Sequence, residues 1–170
     1  GAAVLMMNKL HLWEKHEILL EASSDAANPY TGVEVWVDLE GPGFRRRVHG
    51  FWDGGRRFCV RVAATAPGTW TWTSGANPPD PGLAGRTGRF EAVDWSEAEK
   101  QANPNRRGFV MASANGHALQ YADGTPFFLL GDTWWSVPTF RYRWYDDDGE
   151  RPVGPEMGFK DMVRYRRRQG

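Results

Sequence analysis

The chain has 170 residues, 41% of them hydrophobic, and its 21 Lys and Arg are balanced by 21 Asp and Glu. That length holds one domain, or one domain and part of another. The cancelling charge argues against binding of nucleic acid by phosphate neutralisation and gives no reason to expect an anionic membrane partner. A single cysteine, Cys59, excludes an intrachain disulfide and a cysteine-based zinc site. No apolar run approaches the roughly 18 residues of a membrane span. The apolar start, Gly1 to Met7, lacks the basic flank and cleavage site of a signal peptide. Nine Trp, nine Phe and five Tyr make 14% aromatic residues. That is more tryptophan than a core of this size needs, and the indole's flat face and single N–H donor suit interfaces and sugar rings.

In chain order, Ile18, Leu20 and Ala22 share one face of a first strand over 17–22, and Asn28-Pro29-Tyr30 makes a turn. Residues 33–39 alternate cleanly. Val33, Val35, Val37 and Leu39 face one way and Glu34, Trp36 and Asp38 the other, the period of a half-buried strand. Gly41-Pro42-Gly43 ends it. Val48–Trp52 reads as the next strand, closed by the hairpin signal Asp53-Gly54-Gly55. In 57–63, Phe58, Val60 and Val62 point in while Arg57, Cys59 and Arg61 point out. Pro67-Gly68 turns the chain into Thr69–Thr73, Gly75–Gly85 is loop, and Arg89–Val93 is a last strand. Six short strands with turns every 8 to 12 residues predict an immunoglobulin-like β-sandwich over residues 1–94.

Residues 95–107 change character, with a polar helical turn at Trp95–Gln101 broken by Asn103-Pro104-Asn105, and read as a linker. Beyond it, turns at Asn115-Gly116 and Asp123-Gly124 predict two short hairpins. Phe127–Leu130 is apolar without alternation, the pattern of a strand buried on both faces in a parallel sheet or barrel. Gly131-Asp132-Thr133-Trp134-Trp135 follows, then a long loop over 136–157. A helix begins at Gly158, with Phe159, Met162, Val163 and Arg166 in one stripe and Gly170 suited to its C′ position. Strand, loop and helix make one β/α unit. Residues 108–170 therefore predict the start of a (β/α)8 barrel, whose strand a single unit cannot bury; more of the same chain, or another chain, would complete it.

Several residues are candidates for chemistry. Asp132 follows the expected strand at the end where barrel active sites are built, and its carboxylate can accept hydrogen bonds from sugar hydroxyls. Trp134 and Trp135 adjoin it, one as a stacking platform and the other as packing. Tyr142 and Trp144 lie in a loop too long for a plain βα connection, at a face where such loops contact substrate. Asp146-Asp147-Asp148-Gly149-Glu150 alternates oxygen ligands as a calcium loop does but lacks the full spacing, and reads as a solvated acidic loop. Arg164, Arg166, Arg167 and Arg168 read as the solvent face of the helix. His11, His16, His49 and His117 show no metal spacing, and no glycine-rich phosphate loop or G-x-S-x-G elbow occurs, so neither metal nor cofactor is expected.

Asn28-Pro29-Tyr30, Val35-Trp36-Val37, Gly50-Phe51-Trp52-Asp53-Gly54-Gly55, Arg61-Val62-Ala63 and Ala66-Pro67-Gly68-Thr69-Trp70-Thr71-Trp72 resemble the N-terminal β-sandwich, a domain of unknown function of the DUF5060 type, that precedes the catalytic barrel of many bacterial glycoside hydrolases. Tyr121-Ala122-Asp123-Gly124-Thr125-Pro126-Phe127-Phe128 followed by Gly131–Trp135 resembles the opening of the barrel in their apiosidase-like group (DUF4038-type). The resemblance implies the N-terminal portion of a glycoside hydrolase acting on plant or microbial polysaccharide, with Asp132 in the subsite of the cleaved sugar. The family's catalytic carboxylates lie on later strands, none of them in this sequence, so no catalytic residue is assigned and the 170 residues alone are expected to be inactive. A periplasmic or secreted location follows from the polysaccharide role. The alternative is a non-catalytic carbohydrate-binding or scaffolding module, with Trp36, Trp52 and Trp70 as its aromatic face.

Overall fold

A computed structural model describes residues 8–135, 137, 139, 140 and 142–169, in two compact units that divide between Phe128 and Leu129. Gly1–Met7 and the expected C′ residue Gly170 lie outside the described residues.

The first unit is a β-sandwich. One sheet has the order β1-β8-β7-β3-β4, formed by β1 (Asn8–His11), β8 (Thr87–Val93), β7 (Gly68–Asn77), β3 (Glu34–Gly41) and β4 (Phe44–His49). The other has the order β2-β6-β5, formed by β2 (His16–Glu21), β6 (Arg57–Val62) and β5 (Phe51–Trp52). Neighbours pair antiparallel except β1, which runs parallel to β8. The alternation read in β3 sets its faces: Val35, Val37 and Leu39 enter the core with Ile18, Leu20, Phe58, Val60 and Phe90. Trp70 is also there. It is fully buried, nearly parallel to Phe90 with ring centroids 6.2 Å apart, and its Nε1 donates to the Ala66 carbonyl at 2.9 Å.

Four expectations are corrected in this unit, and one strand, β1, was not expected; the first correction is at Gly75, read as the start of a loop, where β7 runs on to Asn77. Val48–Trp52 is not one strand: the chain leaves the first sheet after His49 and joins the second at Phe51. Gly50 makes the crossing, because a Cβ there would meet the Cys59 carbonyl oxygen at 2.6 Å and the Val60 and Val35 methyls at 2.7 and 2.8 Å. β1 has no apolar alternation beyond Leu10, and only its register with β8 defines it. Cys59 occupies an outward register position but is buried, flanked across the sheet by Leu19 and Phe51. Asn28-Pro29-Tyr30 opens a helical turn, α1 (Pro29–Gly32), with Asn28 as its N-cap.

Residues 95–107 lie within the first unit. Ser96 and Glu99 form a reciprocal capping box that starts α2 (Glu97–Ala102), and a 3-10 turn follows at Pro104–Arg107. A small antiparallel sheet comes next, with β9 (Val110–Ala112), β10 (Leu119–Tyr121) and β11 (Pro126–Phe127) in the order β11-β10-β9. Arg107 ties the two parts together, donating to Asp123 Oδ2 at 2.9 Å, Thr125 Oγ1 at 3.3 Å and Glu97 Oε1 at 2.5 Å.

The expected strand Phe127–Leu130 is not formed. Only Phe127 belongs to a strand; Phe128, Leu129 and Leu130 are irregular and 84%, 69% and 78% exposed. A parallel strand exists only through its ladders to neighbours, and among the described residues no strand pairs with Phe128, Leu129 or Leu130. In the second unit the described residues include one helix, α3 (Phe159–Gln169).

Candidate functional site

The second unit gathers most of the sequence candidates around α3. Gly131–Trp134 has no regular structure, which leaves the Asp132 carboxylate able to reach the helix. It forms an ion pair with Arg166, whose Nη2 donates to Oδ1 at 2.6 Å and whose Nε faces Oδ2. The Trp134 indole N–H lies 3.4 Å from Oδ2. Phe159, which opens the stripe that ends at Arg166, meets Trp134 and Tyr142 edge-on at 6.0 and 6.4 Å and Trp144 at a tilt at 5.8 Å. Trp134 and Tyr142 lie nearly parallel, 5.9 Å apart. Burial, with the Asp132 charge behind it, raises the Tyr142 phenol above its ordinary pKa.

A cleft of about 330 Å³ opens beside this cluster, lined by Leu130, Gly131, Asp132, Trp134, Arg166 and Gln169. Asp132 and Trp134 are therefore brought together in the cleft, and Tyr142 and Trp144 support it from the aromatic cluster. Trp135 is 91% exposed and joins neither. Arg166 and Gln169 are the residues that sequence reasoning missed. The stripe through Phe159, Met162 and Arg166 was the available signal, but a run of arginines also reads as a solvated face. Among the described residues Asp132 is the only carboxylate lining the cleft, so it can accept from hydroxyls but has no carboxyl partner among them there.

The acidic loop pairs with Arg151 at its own end and with the basic helix. Asp147 meets Arg151 at 2.7 Å, Asp148 meets Arg164 at 3.3 Å, and Glu150 meets Arg168. Asp161, 2% exposed, accepts from the Gly158 amide at 3.0 Å and the Arg151 amide at 3.2 Å, with Arg151 and Arg164 nearby. The Gly158 hydrogen bond first, then the Arg151 amide and the two guanidinium charges, outweigh burial and hold its carboxyl below the usual range. Among the described residues no group of three His, Cys, Asp or Glu side chains is placed to hold a metal ion, and no helix is long and apolar enough to cross a membrane.

The aromatic face proposed for a binding module does not assemble. Trp70 is in the core. Trp36 lies on Gly75, where a Cβ would come within 2.5 Å of its indole, and the Arg47 guanidinium covers the ring at 4.5 Å. Arg47 is itself fixed by two hydrogen bonds to Asp38, at 2.8 and 3.0 Å. Trp52 is 39% exposed, its N–H given to the Gly55 carbonyl.

Comparison with known proteins places the sandwich. Residues 9–77, from β1 through β7, match a domain of unknown function, DUF5060. No curated protein matches the chain. The fold resembles the crystal structure of a candidate glycoside hydrolase from Bacteroides vulgatus ATCC 8482, with a TM-score of 0.60 and 20% identity over 72% of this chain. The chain covers 22% of that protein's length.

Proposed function

We propose that this chain is the N-terminal portion of a glycoside hydrolase of the apiosidase-like (DUF4038-type) group: an immunoglobulin-like accessory sandwich followed by the first β/α unit of a (β/α)8 catalytic barrel, acting on plant or microbial polysaccharide. The cleft at Asp132 carries the reading. It combines a fixed acceptor with an indole, and it is lined by Leu130, the last residue of an apolar run that needs flanking strands to be buried. The DUF5060 match and the fold shared with a candidate glycoside hydrolase support it. Asp132 binds a sugar hydroxyl, Trp134 backs the ring, and Tyr142 and Trp144 hold the wall. Glycoside cleavage needs two carboxylates, ~5 Å apart for retention or ~6.5–9.5 Å for inversion, one protonating the leaving oxygen and one attacking or activating water. Both come from the remainder of the barrel. Assaying the natural gene product and these 170 residues side by side on plant and microbial polysaccharides tests this. Hydrolysis by the former alone is expected; turnover by the 170 residues, or none by the gene product, overturns it.

A further inference from the structure

We propose a second sugar-binding site, on the sandwich unit, in the groove between the β1–β2 turn and the 3-10 turn at Pro104–Arg107. It rests on the carbohydrate reading above but uses none of the same residues. The groove measures about 260 Å³ and is lined by Trp13, Glu14, Trp95, Asn105 and Arg106, among others.

Trp13 is the first observation. It has φ +65°, and no other non-glycine among the described residues has a positive φ. It sits in the turn closed by the Glu14 amide on the His11 carbonyl, a position that glycine or asparagine fills without strain. Strain kept in a turn points to a constraint beyond folding. The Trp13 ring lies on Gly108, where a Cβ would come within 2.7 Å of it, and meets Phe109 edge-on at 5.1 Å. Among the described residues its indole N–H has no acceptor.

The second observation is the opposite wall. Trp95 is clamped between the His11 ring, stacked at 3.8 Å, and the Arg106 guanidinium at 4.2 Å, and its N–H donates to the Leu12 carbonyl at 2.8 Å. Arg106 is held by the Glu99 carbonyl at 3.1 Å. The wall is rigid before any ligand arrives, so binding orders little. Asn105 gives its backbone amide to Asn103, and its own carboxamide has no partner among the described residues. Glu14 uses one oxygen on the His11 amide, at 3.1 Å, which leaves the other free.

The groove thus offers an indole N–H, a carboxamide and a carboxylate oxygen around aromatic walls, and the charges of Glu14 and Arg106 cancel. Those groups suit the hydroxyls of a neutral sugar rather than a phosphate or uronate. The volume falls below the ~300–1,000 Å³ of ordinary small-molecule pockets, which fits one ring of a longer glycan.

The test is calorimetric titration of the chain with xylohexaose, cellohexaose and mannohexaose, and with trigalacturonate as the anionic control. At least one neutral hexasaccharide should bind. Trp13→Gly, which suits the backbone, and Asn105→Ala, at an exposed position, should each weaken it roughly tenfold, with melting curves verifying that both fold. Gly32→Ala, on the same unit but outside the groove, should leave this binding unchanged. Absence of binding by every neutral sugar, preference for trigalacturonate, or affinity unaffected by Asn105→Ala in the folded variant overturns the site. Binding lost only in Asp132→Ala overturns it too, while leaving the proposed function standing.

Discussion

Gly41→Ala tests the sandwich core at its tightest point. An added Cβ would come within 2.5 Å of Cε2 and Cε3 of Trp70, a ring that is fully buried, backed by Phe90 and tethered through its N–H. It cannot swing aside. Overpacking a core costs about 1–3 kcal/mol, and replacing a strand glycine by alanine returns about 0.5–1 kcal/mol of backbone entropy. Because the ring cannot move, the cost lies at the upper end, about 3 kcal/mol, and a net loss of roughly 2–2.5 kcal/mol remains, or about 4–10 °C in melting temperature for a chain of this size. Scanning calorimetry reads it. Gly32→Ala, whose Cβ would meet nothing within 4 Å, is the matched control and should not lower the transition. Adding Trp70→Phe to Gly41→Ala should recover part of the loss, because residues in contact couple by about 0.5–3 kcal/mol. A Gly41→Ala protein as stable as the parent would refute the packing described.

Three further outcomes follow from the same contacts. Ser96→Ala removes one half of the α2 capping box and should cost about 1 kcal/mol, read by denaturant unfolding. Cys59 should react slowly with Ellman's reagent in the native protein and quickly in denaturant, since burial first, then the Glu17 charge, raises its thiol pKa; fast native labelling would contradict its place between Leu19 and Phe51. Asp161 has a depressed carboxyl pKa, so its contribution is complete above the unfolded value of about 3.9 and is lost as pH falls through the lower folded value. Exchange protection of the Arg151 and Gly158 amides should therefore be flat from neutrality to about pH 5 and fall in acid, and Asp161→Asn should lower it at neutral pH.

The sandwich strands were legible where side chains alternate, as in Val35-Trp36-Val37-Asp38-Leu39. They were illegible where pairing alone defines them, as in β1, or where a glycine lets the chain change sheets, as at Gly50. Phe127–Leu130 shows the limit of pattern reading, because an apolar run states what a segment requires, not whether its ladder partners are at hand. At the site, Asp132 and Trp134 were found from their position after that run. Arg166 was not, because its role depends on how the loop returns along α3. The same return brings Asp148 to Arg164 and Glu150 to Arg168, ion pairs that form while these side chains stay largely in water, as a solvated acidic loop and a solvent-facing helix would.

The most direct test of the account is the kinetics of Asp132→Ala in the natural gene product on its best polysaccharide substrate. A carboxylate hydrogen bond to a sugar hydroxyl contributes about 1.5–3 kcal/mol, so kcat/KM should fall roughly 10- to 150-fold. The melting transition of the sandwich should not move. An Asp132→Ala enzyme with unchanged kcat/KM would contradict the placement of the active site at this cleft.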